Sequence, residues 1–139
     1  MPADHKATSK QLLEQWGDNT VHKGVDFIAA NYRNHQMPDA KEAQSIKSLD
    51  EWKTLVANFH KGFSDVKMEV LQQVAEGDLV CSRWRVTAKH TGEFAGHAPT
   101  GKTTTWTGVH TDRYEGGKLV ESWVDWDKYS WLDGLGLIG

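Results

Sequence analysis

Residues 103–127 read TTTWTGVHTDRYEGGKLVESWVDWD, and their reading decides the fold. Thr103 to Tyr114 is rich in Thr, Trp and Val, residue types that suit a pleated, half-buried surface. Glu115-Gly116-Gly117 then supplies a hairpin turn, because two glycines remove the steric cost of positive φ. Lys118 to Asp127 returns as the next strand. Working outward, Leu79 to Thr91 forms the strand before this hairpin, behind a turn at Gly77-Asp78. Val66, Met68 and Val70 alternate with Lys67, Glu69 and Leu71 in the strand before that. Beyond the hairpin, Tyr129 to Leu135 is a closing helical turn ended by Gly136.

Upstream, the period changes from two to that of a helix. Ser48-Leu49-Asp50-Glu51 is a capping box, in which the Ser hydroxyl takes the Glu51 amide proton and the Glu side chain returns to the amide of Ser48. Behind it Leu49, Trp52, Leu55, Val56, Phe59 and Phe63 recur at helical spacing. Leu12, Leu13 and Trp16 mark a first helix that fades near Gly17-Asp18-Asn19. A short second helix is expected from Val25 to Ala30, with Phe27 and Ile28 turned inward, and Asn31 to His35 leads out of it into a short extended segment. Met37 to Lys47, polar and containing Pro38, reads as a surface loop or lid. Helices followed by a run of strands, without βαβ alternation, indicate a single α+β domain over residues 1–139. Three helices cover one face of a four-stranded antiparallel sheet, and if the sheet curls, the space between is a cavity closed at one end.

Composition narrows the function classes. The formal charge of −3 is spread without a basic stripe, which argues against nucleic acid as a partner. No apolar run is long enough to span a membrane, and the single cysteine, Cys81, excludes an intramolecular disulfide, so a cytoplasmic setting is expected. No helical His pair or Cys partner supports a metal site, and no Gly-rich phosphate loop follows a strand, so neither metal nor cofactor is expected. Seven tryptophans in 139 residues suggest a pocket wall, an interface, or both.

Three segments resemble one family. Tyr32-Arg33-Asn34-His35 looks like the motif after the second helix of SnoaL-like proteins. His90 to Lys102 (HTGEFAGHAPTGK) resembles their central hairpin. Gly117 to Trp123 (GKLVESW), followed by Asp127 and Leu135-Gly136, is similar to their last strand and its ending. The resemblance implies the SnoaL-like polyketide cyclases, or ester cyclases, of the nuclear-transport-factor-2-like superfamily. Their fold is a cone-shaped curved antiparallel sheet packed on three N-terminal helices. It further implies a cofactor-free, aldol-type acid–base reaction on a small hydrophobic or aromatic carbonyl compound, and a homodimer formed through the sheet.

That chemistry needs a base for a carbon-bound proton and donors for the enolate oxygen. Asp125 and Asp127 compete for the first task, and Asp127 is also placed to cap the closing helix. By the resemblance, the cyclases' catalytic Asp falls on Val124, and His110 aligns with a pocket His. A two-residue turn at Gly116-Gly117 puts His110 opposite Trp123, so that Asp125 shares its face. A three-residue loop pairs His110 with Ser122 instead, and Val124 and Trp126 share the face. The expected pocket also includes Trp16, Tyr32, Asn34, His35, Trp52, Trp106 and Trp123. Two other readings stay open: a module of the same fold that binds a hydrophobic ligand without turnover, and an epoxide hydrolase of the limonene type using Tyr32, Asn34 and Arg83 or Arg85.

Overall fold

Asp4 opens α1 (His5–Asp18) by accepting the amide N–H of Ala7 at 3.1 Å, and Asn19 closes it in the left-handed region at φ 60°. In this computed structural model, which describes residues 4–37 and 45–138, the helix lies on the sheet through Leu12, Leu13 and Gly17. Glycine is required at that last position, since a Cβ on Gly17 would meet Cβ of Met68 at 2.5 Å. The capping box forms at α2 (Leu49–Gly62), where the Glu51 amide donates to Ser48 Oγ at 3.1 Å. Its return arm reaches one residue further back, with the Lys47 amide donating to Glu51 Oε2 at 3.0 Å. Trp52, Val56 and Phe59 bury the helix against the sheet.

The expected helix over Val25–Ala30 does not form. A 3₁₀ turn at Val25–Phe27 opens the segment, following another at Val21–Lys23, and the chain is extended from Ile28. Phe27 is exposed rather than turned inward, while Ile28 is buried. A run this short cannot offset helix nucleation, and its backbone groups find partners in a sheet instead. The resulting strand β1 (Ile28–Gln36) absorbs the extended segment expected after it. Of the loop expected over Met37–Lys47, residues 38–44 lie outside the described residues, and Ser45–Ile46 form a short strand β2 on β1.

The remaining strands are β3 (Phe63–Glu76), β4 (Leu79–His90), β5 (Thr103–Glu115) and β6 (Lys118–Trp126), followed by α3 (Lys128–Gly134). The sheet runs β2-β1-β6-β5-β4-β3, antiparallel throughout except for the parallel pair β1–β6. The α+β architecture is as expected. The sheet differs in being six-stranded and mixed, and the third helix closes the chain at its C-terminal end. Two register shifts, near Ser64–Lys67 and Val70–Gln72, bend β3 over its neighbour.

The β5–β6 hairpin departs from both expected registers. Its turn is the two-residue one, with Gly116 and Gly117 at φ 59° and 80° and Glu115 paired to Lys118. Tyr114 then pairs with Leu119 but Arg113 with Glu121, so Val120 is an extra residue, a bulge. Beyond it His110 stands opposite Val124, not Trp123 or Ser122.

Candidate functional site

Alternation along β4 and β5, and along β6 beyond its bulge, turns one face of each strand inward, burying Trp84, Val86, Trp106, Ser122 and Val124 among others. Between that face and the helices lies a cavity of about 120 Å³. Six indoles reach it: Trp16, Trp52, Trp84, Trp106, Trp126 and Trp131. The Trp84 ring fits because β5 carries glycine beside it: a Cβ on Gly108 would fall 2.4 Å from Trp84 Cζ2. Phe59, Phe63, Phe94 and Trp131 pack stacked, tilted or edge-on against one another, with ring centroids 4.8–6.0 Å apart.

Three polar side chains interrupt this aromatic lining: Asn34, Gln36 and His110. The indole N–H of Trp84 donates to His110 Nδ1 at 2.7 Å. An indole can only donate, so Nδ1 must be the bare nitrogen, and the ring's hydrogen sits on Nε2. Burial holds the imidazole below the usual histidine range, against an opposing pull from Asp112. The ring is therefore neutral at pH 7, and protonating Nδ1 would set one N–H against another.

Asp112, two residues along β5 on the same face, is the buried acid of the site. Ser9 of α1 donates to its Oδ2 at 2.7 Å and Ser122 of β6 donates to its Oδ1 at 2.6 Å. Tyr32 donates to Ser122 at 2.8 Å, Asn34 donates to the Tyr32 hydroxyl at 2.8 Å, and Gln36 donates to Asn34 Oδ1. Trp126 completes the series, its indole donating to Gln36 Oε1 at 3.2 Å. A smaller void of about 20 Å³ lies beside these groups, lined by Ser9, Tyr32, His110 and Asp112. The Tyr32 and Tyr114 phenols are both held well above their usual range, chiefly by burial.

Of the residues expected in the pocket, Trp16, Asn34, Trp52, Trp106, His110, Val124 and Trp126 line it together. Asp125 does not: it pairs with Val109 on the outer face and is exposed. The bulge at Val120 is the physical reason, since one extra residue exchanges the faces of everything beyond it. Trp123 and His35 are also outside, stacked on one another at 5.6 Å, with His35 Nε2 2.7 Å from Glu121. Tyr32 is buried behind the wall rather than in it. Asp127 takes the cap of α3, accepting the Ser130 hydroxyl at 2.6 Å and the Ser130 amide at 2.9 Å, which together hold its carboxyl below the usual range. Arg83 and Arg85 lie exposed on the outer face, bonded to Gln72 and Glu69, away from Tyr32 and Asn34, so the arrangement of the epoxide-hydrolase reading is not assembled.

Sequence reasoning missed Trp84, Trp131 and Asp112. The signal for Asp112 was present, since it lies two residues from His110 on a strand and so shares its face. Among the described residues no group of three or more His, Cys, Asp or Glu side chains is gathered as a metal site.

Comparisons with known proteins agree with the fold. Residues 6–135 match the family described as SnoaL-like polyketide cyclase. The chain is 26% identical over 124 residues to aklanonic acid methyl ester cyclase AcmA of Streptomyces galilaeus, covering 88% of this chain and 83% of that one. Among crystal structures it is similar to the hydroxylase candidate AclR of Streptomyces galilaeus (TM-score 0.83, 28% identity, 98% of each chain). It is also similar to the polyketide cyclase candidate IdmH of Streptomyces antibioticus (TM-score 0.81, 25% identity, 96% of this chain and 99% of that one).

Proposed function

The chain belongs to the SnoaL-like polyketide cyclase family, and from that premise we propose that it is a cofactor-independent acid–base catalyst acting on a small aromatic carbonyl compound. One observation carries the reading: a neutral imidazole, fixed in one tautomer by Trp84, lines an indole-walled cavity. The indole faces hold a flat hydrophobic ligand. His110, with its hydrogen on Nε2, donates to the carbonyl oxygen as negative charge develops there, and hydroxide from solvent takes the neighbouring carbon-bound proton and leaves as water. Asp125, exposed on the outer face, has no part in this mechanism. The exposed thiol of Cys81 suits the reducing cytoplasm, the compartment we propose for it.

Hydrogen–deuterium exchange alpha to the ketone of 1-tetralone, followed by NMR in deuterated buffer, tests the proposal. The protein should accelerate exchange over buffer alone, and His110→Phe should lose roughly 10²–10³-fold of that acceleration. Calorimetry should show the ligand still bound to the variant.

One observation favours a second reading, a binding module without turnover. Val124 stands where the resemblance puts the cyclases' acid, and among the described residues no carboxylate lines the main cavity. Saturable binding of the ketone with no accelerated exchange would establish that reading and sink the first.

A further inference from the structure

We infer that the polar wall of the cavity offers a ligand hydrogen-bond donors and no strong acceptor, so that the site selects compounds whose polar end is a carbonyl or enolate oxygen and rejects ammonium groups. The inference rests on the small-molecule reading above and names its ligand class.

Side-chain amides can ordinarily turn over and exchange donor for acceptor, but here both ends of the chain forbid it. At one end Trp126 has only an N–H to give, so Gln36 must present Oε1 to it. That fixes the Gln36 nitrogen toward Asn34 Oδ1, and hence the Asn34 nitrogen toward the Tyr32 hydroxyl. At the other end both oxygens of Asp112 accept, one from Ser122 and one from Ser9. Ser122 therefore donates to Asp112, Tyr32 donates to Ser122, and the Tyr32 oxygen is left to accept from Asn34. The two ends impose the same direction on every link between them.

The consequence falls on the cavity. Asn34 and Gln36 both line it, and the oxygen of each amide is occupied within the chain. Each amide nitrogen uses one hydrogen in the chain and keeps the other. His110 follows the same rule by a separate route: Trp84 occupies Nδ1 and leaves Nε2–H. Three donors thus remain on a wall otherwise made of indoles, phenyl rings and aliphatic side chains. Indole faces alone would attract a cation, so the two influences make opposite demands and can be told apart.

The experiment compares three ligands of one shape by titration calorimetry: 1-tetralone, tetralin and 1-aminotetralin as its ammonium. The expected order is tetralone tightest, by tenfold or more over tetralin, with the ammonium weakest. In Trp126→Phe the Gln36 oxygen loses its donor and becomes a free acceptor on the wall, and the preference for tetralone over the ammonium should shrink at least threefold. Tyr32→Phe, which cuts the chain beyond Asn34, should leave the preference in place, because Trp126 still holds both amides in the same direction. An ammonium that binds the unaltered protein as well as tetralone does would overturn the inference. Equal binding of tetralone and tetralin would overturn it too, while leaving the hydrophobic pocket intact. If none of the three binds, the inference and the small-molecule reading on which it rests fall together.

Discussion

Trp84 and His110 meet through one hydrogen bond, and that bond decides what the imidazole can be. His110 is held below the ordinary histidine range by burial, and so is His90, whose Nδ1 accepts the Thr100 amide. In the unfolded chain both would titrate near pH 6.5. As pH falls below that value the unfolded chain takes up protons that the folded one refuses, so stability should fall with pH and level off below the folded values. The slope is at most about 1.4 kcal/mol per pH unit for each histidine. Urea unfolding between pH 7.5 and 5 measures it, and His110→Gln, whose amide oxygen can still accept from Trp84, should flatten the slope. At this scale the sequence was legible by residue type: His110, Asn34 and four of the six cavity tryptophans were found. It was not legible by partner, because which nitrogen of His110 is bare depends on Trp84, 26 residues away.

The β6 strand shows what one residue does to an element. Val120 stands unpaired, and the bulge turns Val124 and Trp126 inward and Asp125 outward. Turn chemistry read from Glu115-Gly116-Gly117 left two loop lengths open, and the structure takes the loop of one with the facing of the other, since nothing in residues 118–127 marks the bulge. The α1, α2 and hairpin signals were legible because caps and turns are local. β1 was not fully legible, because its parallel pairing with β6 joins segments some 90 residues apart. Val124→Asp tests the element directly, placing a carboxylate across the strand pair from His110. Paired residues on one face are about 5 Å apart. The His110 titration, followed by NMR, should move upward, and stability at pH 8 should fall by about 2 kcal/mol from carboxylate burial. If the His110 titration stays where it is, the described register is wrong.

Across the whole molecule the two faces of the sheet are chemically opposed. The inner face is aromatic, and the outer one exposes Arg83, Arg85, Thr105, Thr107 and Asp125. The fold class and the existence of a cavity followed from element order, but the polarity of this outer face did not, because its register was undetermined. We propose that two copies pair through this face, as the resemblance implies. A contact made of these side chains should be weakened by salt. Sedimentation velocity should then show a dimer at low ionic strength that dissociates in about 0.5 M salt. A monomer under both conditions would end the proposal. Among the described residues no helix is long and apolar enough to cross a membrane.

The chain of hydrogen bonds from Trp126 to Asp112 invites description as a proton wire, and its composition rules that out. Two of its links are the carboxamides of Asn34 and Gln36, which neither take up nor release a proton under ordinary conditions. The carboxylate can thus orient the cavity wall while remaining insulated from whatever the cavity holds. Charge shapes the site without travelling through it, and a ligand arrives and leaves with no proton passed along this chain.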